Sequence, residues 1–284
     1  MRRLIVNADD FGLTRGVNRA VMELHDRRVL TSATLMVKAS ATADAIALAA
    51  ANPSLGVGCH VVLVDGEPLR NASQIPSLVD KQTGLFHATL GSFVRALLRG
   101  RIRAEEIEAE AAAQIGKLQQ SGLRLTHIDT HKHTHMFPAI LKPVLRAARA
   151  AGICAVRNPF EPAWSRHATP AAPLTRRMQV GLLHRLEPSF RRTVAEEGFS
   201  TPDGALGIIA TGSLDEAAVS SLLQHMPEGT WELVTHPGYN DAELARAHTR
   251  LKESREIERR VLEVIANAPD IEQVNFSALS PEQR

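Results

Sequence analysis

Between His127 and Pro138 the sequence reads His-Ile-Asp-Thr-His-Lys-His-Thr-His-Met-Phe-Pro, so four of the chain's twelve histidines and one aspartate fall within a single short stretch. Imidazole and carboxylate are the ordinary nitrogen and oxygen ligands of a divalent metal. In an extended segment side chains alternate, which would put His127, Asp129, His131, His133 and His135 on one face. Neighbours on that face stand roughly 6.6 Å apart, close enough for two imidazoles to converge on one ion. A loose surface tract of histidines is the plain alternative. Apolar segments bracket this tract on both sides, which favours an ordered site.

Other residues of the same chemistry stand at the ends of separate apolar runs. Asp9 and Asp10 follow Leu4-Ile5-Val6, His60 lies in the run 55–63, Arg157 ends the run 154–157, and His236 follows the run 231–235. A carboxylate with two imidazoles makes a three-ligand set that leaves positions open for water and substrate. Asp10, His60 and either His131 or His133 are the candidates. Of the adjacent aspartates, one would bind the ion while the other takes a proton from water that the ion has acidified. An aspartate pair that merely caps a turn is the bland reading. His236, within Thr235-His236-Pro237-Gly238-Tyr239, is placed to act as a general acid. Arg157 would orient Asp9 or bind substrate. Asp129 and His127 are expected deeper in their strand as supports. Cys59 points away from His60 and reads as core filler.

These residues need elements to position them, and the sequence alternates strand-like and helix-like segments. The apolar start is followed by Thr14, which can cap a helix over 14–26. Strands are expected at 31–37, 55–63, 125–129, 154–157, 206–210, 231–235 and 271–276. Helices are expected at 41–51, at 105–121 closed by Gly122, from Pro138 to 151 closed by Gly152, at 214–226, and as one charged helix over 241–266. Residues 64–100 read as irregular. About eight such units predict an α/β fold, a (β/α) barrel that is incomplete or distorted, with a doubly wound open sheet as the rival. No GxGxxG follows the first strand, so nothing supports a dinucleotide fold.

The chain is expected to form one barrel domain over 1–284, with a helical or irregular insertion at about 160–203. Within it, residues 174–192 carry Met178, Leu182 and Leu186 four apart, together with five arginines. Such a basic amphipathic stretch can lie on an anionic membrane or pack on its own domain. At 44% hydrophobic and 23% charged the composition is that of a globular protein. A net charge of +2 without any long basic run argues against nucleic acid as a partner. Two cysteines without a CxxC pattern fit a reducing compartment. The apolar run at the start is too short for a signal peptide, and a cytoplasmic location is expected. The oligomeric state is not encoded in any of these features.

Four ordered motifs, Val6-Asn7-Ala8-Asp9-Asp10-Phe11-Gly12, Gly58-Cys59-His60, the stretch 126–138 and Thr235-His236-Pro237-Gly238-Tyr239, make the chain resemble the YdjC-like family of carbohydrate deacetylases. The resemblance runs to about residue 275. Within the family it is strongest to hopanoid-biosynthesis-associated members, through 12–21, Leu30-Thr31-Ser32-Ala33, and Ala51-Asn52-Pro53 on to Val64-Asp65-Gly66. It implies a (β/α) barrel that uses one divalent ion, zinc or magnesium, to hydrolyse the N-acetyl group of an N-acetylglucosamine unit. By analogy with NodB-type deacetylases, Asp9 would be the base, Asp10, His60 and a histidine of the tract the ligands, and His236 the acid. His131 is the expected third ligand, with His133 the alternative. His135 would face sugar or simply pack, and Tyr239 would bind or support substrate. The substrate implied is a sugar on a glycosylated hopanoid, which would turn 174–192 towards lipid at the inner membrane face. Cys59 and Lys38 depart from the family pattern, and Lys38 puts sugar contacts at its strand end in doubt. A barrel phosphoesterase with the same ligands, or a metal- or head-group-binding protein without turnover, are the rival readings.

Overall fold

A computed structural model describes residues 1–169, 172–268 and 270–279. Its strands are β1 (Arg2–Phe11), β2 (Ser32–Leu35), β3 (Gly56–Val61), β4 (His127–Thr130), β5 (Gly204–Leu206), β6 (Gly229–Thr235) and β7 (Glu272–Gln273). The α-helices are α1 (Arg15–Asp26), α2 (Thr42–Ala51), α3 (Leu90–Leu98), α4 (Ala104–Gln120), α5 (Pro138–Ala150), α6 (Ala163–Ala168), α7 (Leu174–Leu183), α8 (Glu187–Glu196), α9 (Glu216–His225), α10 (Ala242–Arg246) and α11 (Glu253–Val261).

The strands pair in parallel in the order β4-β3-β2-β1-β6-β5, and the two-residue β7 adds to β1. Parallel strands connected through helices are covered on both faces, which is why Leu4, Ile5 and Val6 are all fully buried. The segment 154–160 joins the two edges. It exchanges hydrogen bonds with β4 (Ile128 N–H to Ala155 O, Arg157 N–H to Ile128 O) and with the approach to β5 (Val156 N–H to Ser200 O, Ala205 N–H to Phe160 O). The sheet therefore curls into a distorted barrel. The expected strand over 154–157 is present only as isolated bridges, at Ile128–Val156 and Ala155–Ser200, because the segment divides its hydrogen bonds between β4 and the approach to β5.

Local signals behave as their chemistry requires. Thr14 caps α1 by accepting the Val17 N–H, and Pro138 opens α5. Gly122 and Gly152, both at positive φ, follow the last turns of α4 and α5. Residues 64–100 are not wholly irregular: they hold α3 and a short 3-10 turn. Helix α4 fixes the chain on both sides of that turn, turning Glu106, Glu110 and Gln114 inward at four-residue spacing to accept the N–H groups of Ser77, Leu69, Arg70 and Val62. The expected helix over 241–266 is broken into α10, α11 and a 3-10 turn at Leu262–Asn267. The break gives α11 its own direction, with Arg255 and Glu258 buried although the helix is rich in charge.

The region 160–203 folds as α6, α7 and α8, with residues 170 and 171 outside the described set. The basic stretch 174–192 is thus two helices with a 3-10 link. Leu174, Met178 and Leu182 stand 72%, 67% and 62% exposed along α7, opposite the buried Val180.

Gly58 in β3 shows how tightly the strands are packed. A Cβ there would lie 2.5 Å from the His127 ring, which is itself stacked on Phe276 at 3.6 Å between centroids. The ring has no room to retreat, so Gly58→Ala should destabilise the protein by about 1–3 kcal/mol in denaturant titrations.

Candidate metal and catalytic site

The site begins with a kink in β1. The β1–β2 register shifts between Ala8 and Phe11, and Asp10 sits at φ 63. Strict alternation would send adjacent side chains to opposite faces, but a left-handed residue at this point turns both aspartates towards the same space. Asp and Asn are the residues, besides glycine, that enter this region most readily.

Asp9 is gripped on all sides. Its Oδ1 accepts from Arg157 Nη2 at 2.6 Å, Asn7 Nδ2 at 2.9 Å and the Thr34 hydroxyl at 3.2 Å, while Oδ2 accepts from Arg157 Nη1 at 2.9 Å. His236 Nε2 lies 3.8 Å from Oδ2. Burial alone would raise the Asp9 pKa, but Arg157, with His60 and His236 beyond it, holds the carboxyl well below the usual range.

Three donors then meet beside Asp9. His60 Nε2 is 3.2 Å from His131 Nδ1 and 3.5 Å from Asp10 Oδ1, and His131 Nδ1 is 3.6 Å from the same oxygen. Donors at about 2.1 Å from a tetrahedral ion are about 3.4 Å apart, so this triangle has the dimensions of one face of such a site. Its mixed nitrogen and oxygen donors fit a divalent ion. Asp129 Oδ1 accepts from His60 Nδ1 at 2.7 Å, which directs Nε2 to the triangle. Burial disfavours the His60 imidazolium, yet Asp129, Asp9 and Asp10 together raise its pKa to about 9.

The histidine tract departs from the extended face expected of it. Strand β4 ends at Thr130, and Lys132 and His133 both adopt left-handed backbone, at φ 55 and 53. The chain coils there, so only His131 joins Asp10 and His60. The buried His133 Nδ1 has no partner, and burial followed by the charge on Arg157 keeps its pKa well below the usual value. His135 is packed inside: its Nδ1 bonds the Thr130 hydroxyl at 2.8 Å, its Nε2 the Arg157 carbonyl at 3.2 Å, and its ring faces Phe190. His127 is buried against Phe276, and burial lowers its pKa to about 3. Cys59 lies in the core as expected. Lys38 bonds the Pro68 carbonyl and pairs with Glu67.

For Arg157 the geometry fits the first of its two expected roles, while Tyr239 points elsewhere. Arg157 is fully buried among Asp9, Asp129 and Glu232, so it orients carboxylates and offers no face to a substrate. Tyr239 turns towards α1, where its hydroxyl donates to Glu23 and its ring lies between Arg19 and Arg259, because those two guanidinium groups stack on its faces.

Sequence reasoning missed Glu232, Arg255 and Glu258. Glu232 stood in plain sight as the one acid of an apolar strand. Burial pushes it up to about 7 despite its contact with Arg157. Arg255 and Glu258 were hidden among the alternating charges of 252–260. Arg255 donates to Asp10 Oδ2, and Glu258 Oε2 accepts the His236 N–H at 2.6 Å. Replacing Arg157 would leave buried carboxylates without their cation. Arg157→Gln should cost about 3–5 kcal/mol of stability at pH 7, read from urea unfolding, and less at pH 5, where the unfolded chain no longer gains as much by ionising Glu232.

With this geometry in place, likeness to known proteins adds a family. The carbohydrate deacetylase of Geobacillus stearothermophilus is 33% identical over 245 residues, 86% of this chain and 82% of that one. That of Brevibacillus brevis is 46% identical over 146 residues, 51% of this chain and about half, 55%, of its own length. A crystal structure from Enterococcus faecalis, provisionally described as a cellobiose-phosphate cleavage protein, superposes with a TM-score of 0.76 at 25% identity, covering 98% of this chain and 99% of that one. A lactam utilization protein of Thermus thermophilus shares the fold, with a TM-score of 0.52 at 14% identity over 96% of this chain and 99% of its own. The profile of the YdjC-like protein family matches residues 3–266, and the chain belongs to that family.

Proposed function

We propose that the protein is a metal-dependent hydrolase that removes the N-acetyl group from an N-acetylglucosamine-type sugar. The observation that carries this reading is the placement of the Asp10, His60 and His131 triangle beside the Asp9–His236 pair, which are 3.8 Å apart. The relatives named carbohydrate deacetylase point to the same chemistry. A binding protein without turnover has no need of that second pair.

A divalent ion held by Asp10, His60 and His131 would polarise the acetamide carbonyl and acidify water. The triangle's dimensions favour zinc, or another ion content with tetrahedral ligands, over magnesium, which keeps octahedral oxygen ligands. Asp9, fixed in its ionised form by Arg157, accepts a proton from the attacking water as the new carbon–oxygen bond forms. His236 is neutral at pH 7, since burial lowers its pKa to about 4 against the pull of Asp9 and Asp10. The proton from water therefore reaches His236 by way of Asp9. The ring then gives it to the amine nitrogen as the carbon–nitrogen bond breaks, leaving acetate and the free amino sugar.

The finer reading is a sugar carried on a lipid, a glycosylated hopanoid. No helix among the described residues is long and apolar enough to cross a membrane. The exposed Leu174, Met178 and Leu182 with nearby Arg177 and Arg185 support a peripheral contact at the inner membrane face.

Mass spectrometry of chitooligosaccharides and N-acetylglucosaminyl glycolipids should show loss of one acetyl group, abolished by chelator and restored by zinc. Release of phosphate from model esters in place of acetate would overturn the reading. Asp9→Asn should lower acetate release by at least about 100-fold while the ion stays bound, as judged by elemental analysis. Protons compete with the ion for His60, which is protonated below about pH 9 in the free site. Binding at pH 7 should therefore release about one proton, and calorimetry in buffers of different ionisation enthalpy reads that number directly. Affinity should rise with pH up to about 9 and level off beyond it.

A further inference from the structure

Helix α11 places two buried charged residues three apart on one face, and both reach towards the site. Arg255 is fully buried and Glu258 is 1% exposed. Glu258 Oε2 accepts the His236 main-chain N–H at 2.6 Å and lies 4.0 Å from the ring's Nδ1, while Oε1 is buried without a partner. A buried carboxylate oxygen left unpaired is costly, so a glutamate kept there calls for a reason. The turn it touches is docked closely. Gly238 N–H donates to the Arg255 carbonyl at 3.1 Å, and a Cβ at Gly238 would come within 3.1 Å of both Arg255 and Val17.

We propose that Glu258 is a positioning residue for His236, fixing the turn that carries the ring and accepting from Nδ1 when the ring is protonated. This rests on the assignment of His236 as the acid. When the imidazole gains its proton, both ring nitrogens become donors. Nε2 faces Asp9 and the substrate amine, and Nδ1 needs an acceptor that water cannot supply in a buried turn. A small ring rotation brings Nδ1 from 4.0 Å into hydrogen-bond range of Glu258. The charged groups around the ring are Asp9 and Asp10 from β1, Arg255 and Glu258 from α11, and Arg157. Of these, Glu258 stands 4.0 Å from Nδ1. Burial pushes its carboxyl up to about 7, so it exchanges its own proton near neutral pH.

The test uses the full-length zinc-loaded protein and acetate release from a chitooligosaccharide. Glu258→Gln keeps an acceptor oxygen for the His236 N–H and drops only the charge. It should lower kcat at pH 7 about ten-fold with KM within about two-fold. A nearby carboxylate favours the imidazolium that forms during turnover, so the loss should be confined to substrates whose leaving group needs a proton, and hydrolysis of 4-nitrophenyl acetate should stay within about two-fold of the unaltered protein. Glu258→Asp should recover part of the loss. Unchanged turnover of the chitooligosaccharide by Glu258→Gln, or an equal fall with both substrates, overturns the proposal, because a purely structural clamp would slow both alike. Full turnover in His236→Gln would instead overturn the acid assignment, which separates the two failures.

Discussion

The guanidinium of Arg157 is the interaction on which the rest of the site depends. It sits at zero exposure and touches three carboxylates, Asp9, Asp129 and Glu232, which come from three different strands. A lone charge at such depth would be prohibitively unstable, and so would any of the three acids. Together they are tolerable because each carboxylate finds the same cation, His60 adds positive charge next to Asp129, and Glu232 keeps its proton up to about pH 7. Strands β1, β4 and β6 are thereby pinned at the height of Asp9 and Asp129.

The same cluster passes order outward through Asp129. That one side chain receives Arg157 on one oxygen and His60 Nδ1 on the other, so His60 Nε2 is aimed at Asp10 and His131. Asp9 has the matching position on β1, bound by Arg157 and facing His236. The proposed ligand His60 and the proposed proton-transfer pair thus hang from one buried ion network. The α4 carboxylates perform the comparable task for the loop following β3, holding it by its main-chain N–H groups.

Much of this was legible in the sequence, for physical reasons that differ from residue to residue. Asp9, Asp10, His60, His131 and His236 each follow or end an apolar run, and parallel strands deliver such ends to one side of a sheet. The alternation of strands and helices was equally plain, down to the cap at Thr14 and the stops at Gly122 and Gly152. What failed were the inferences that carried regular backbone across a break. The tract after Thr130 leaves the strand through two left-handed residues, so period-two logic put His133 and His135 where they do not go. The helix over 241–266 breaks after α10, and periodicity within a run of mixed charges gives no sign of which arginine and glutamate turn inward. Tyr239 was drawn to the site by proximity to His236 along the chain, yet its ring lies between two arginines on α1 and α11.

Asp10 carries a restriction of a kind that its proposed role as a ligand does not by itself impose. At φ 63 the backbone there suits glycine, asparagine and aspartate, and of those only aspartate brings a negative charge. Glutamate would offer the same carboxylate from a longer arm and in a conformation it rarely enters; asparagine would keep the turn but lose the charge opposite Arg255. Two independent filters, one on backbone shape and one on charge, therefore leave a single residue type at this position. Drift at position 10 is closed from both directions, so a change there removes the kink, the charge or both.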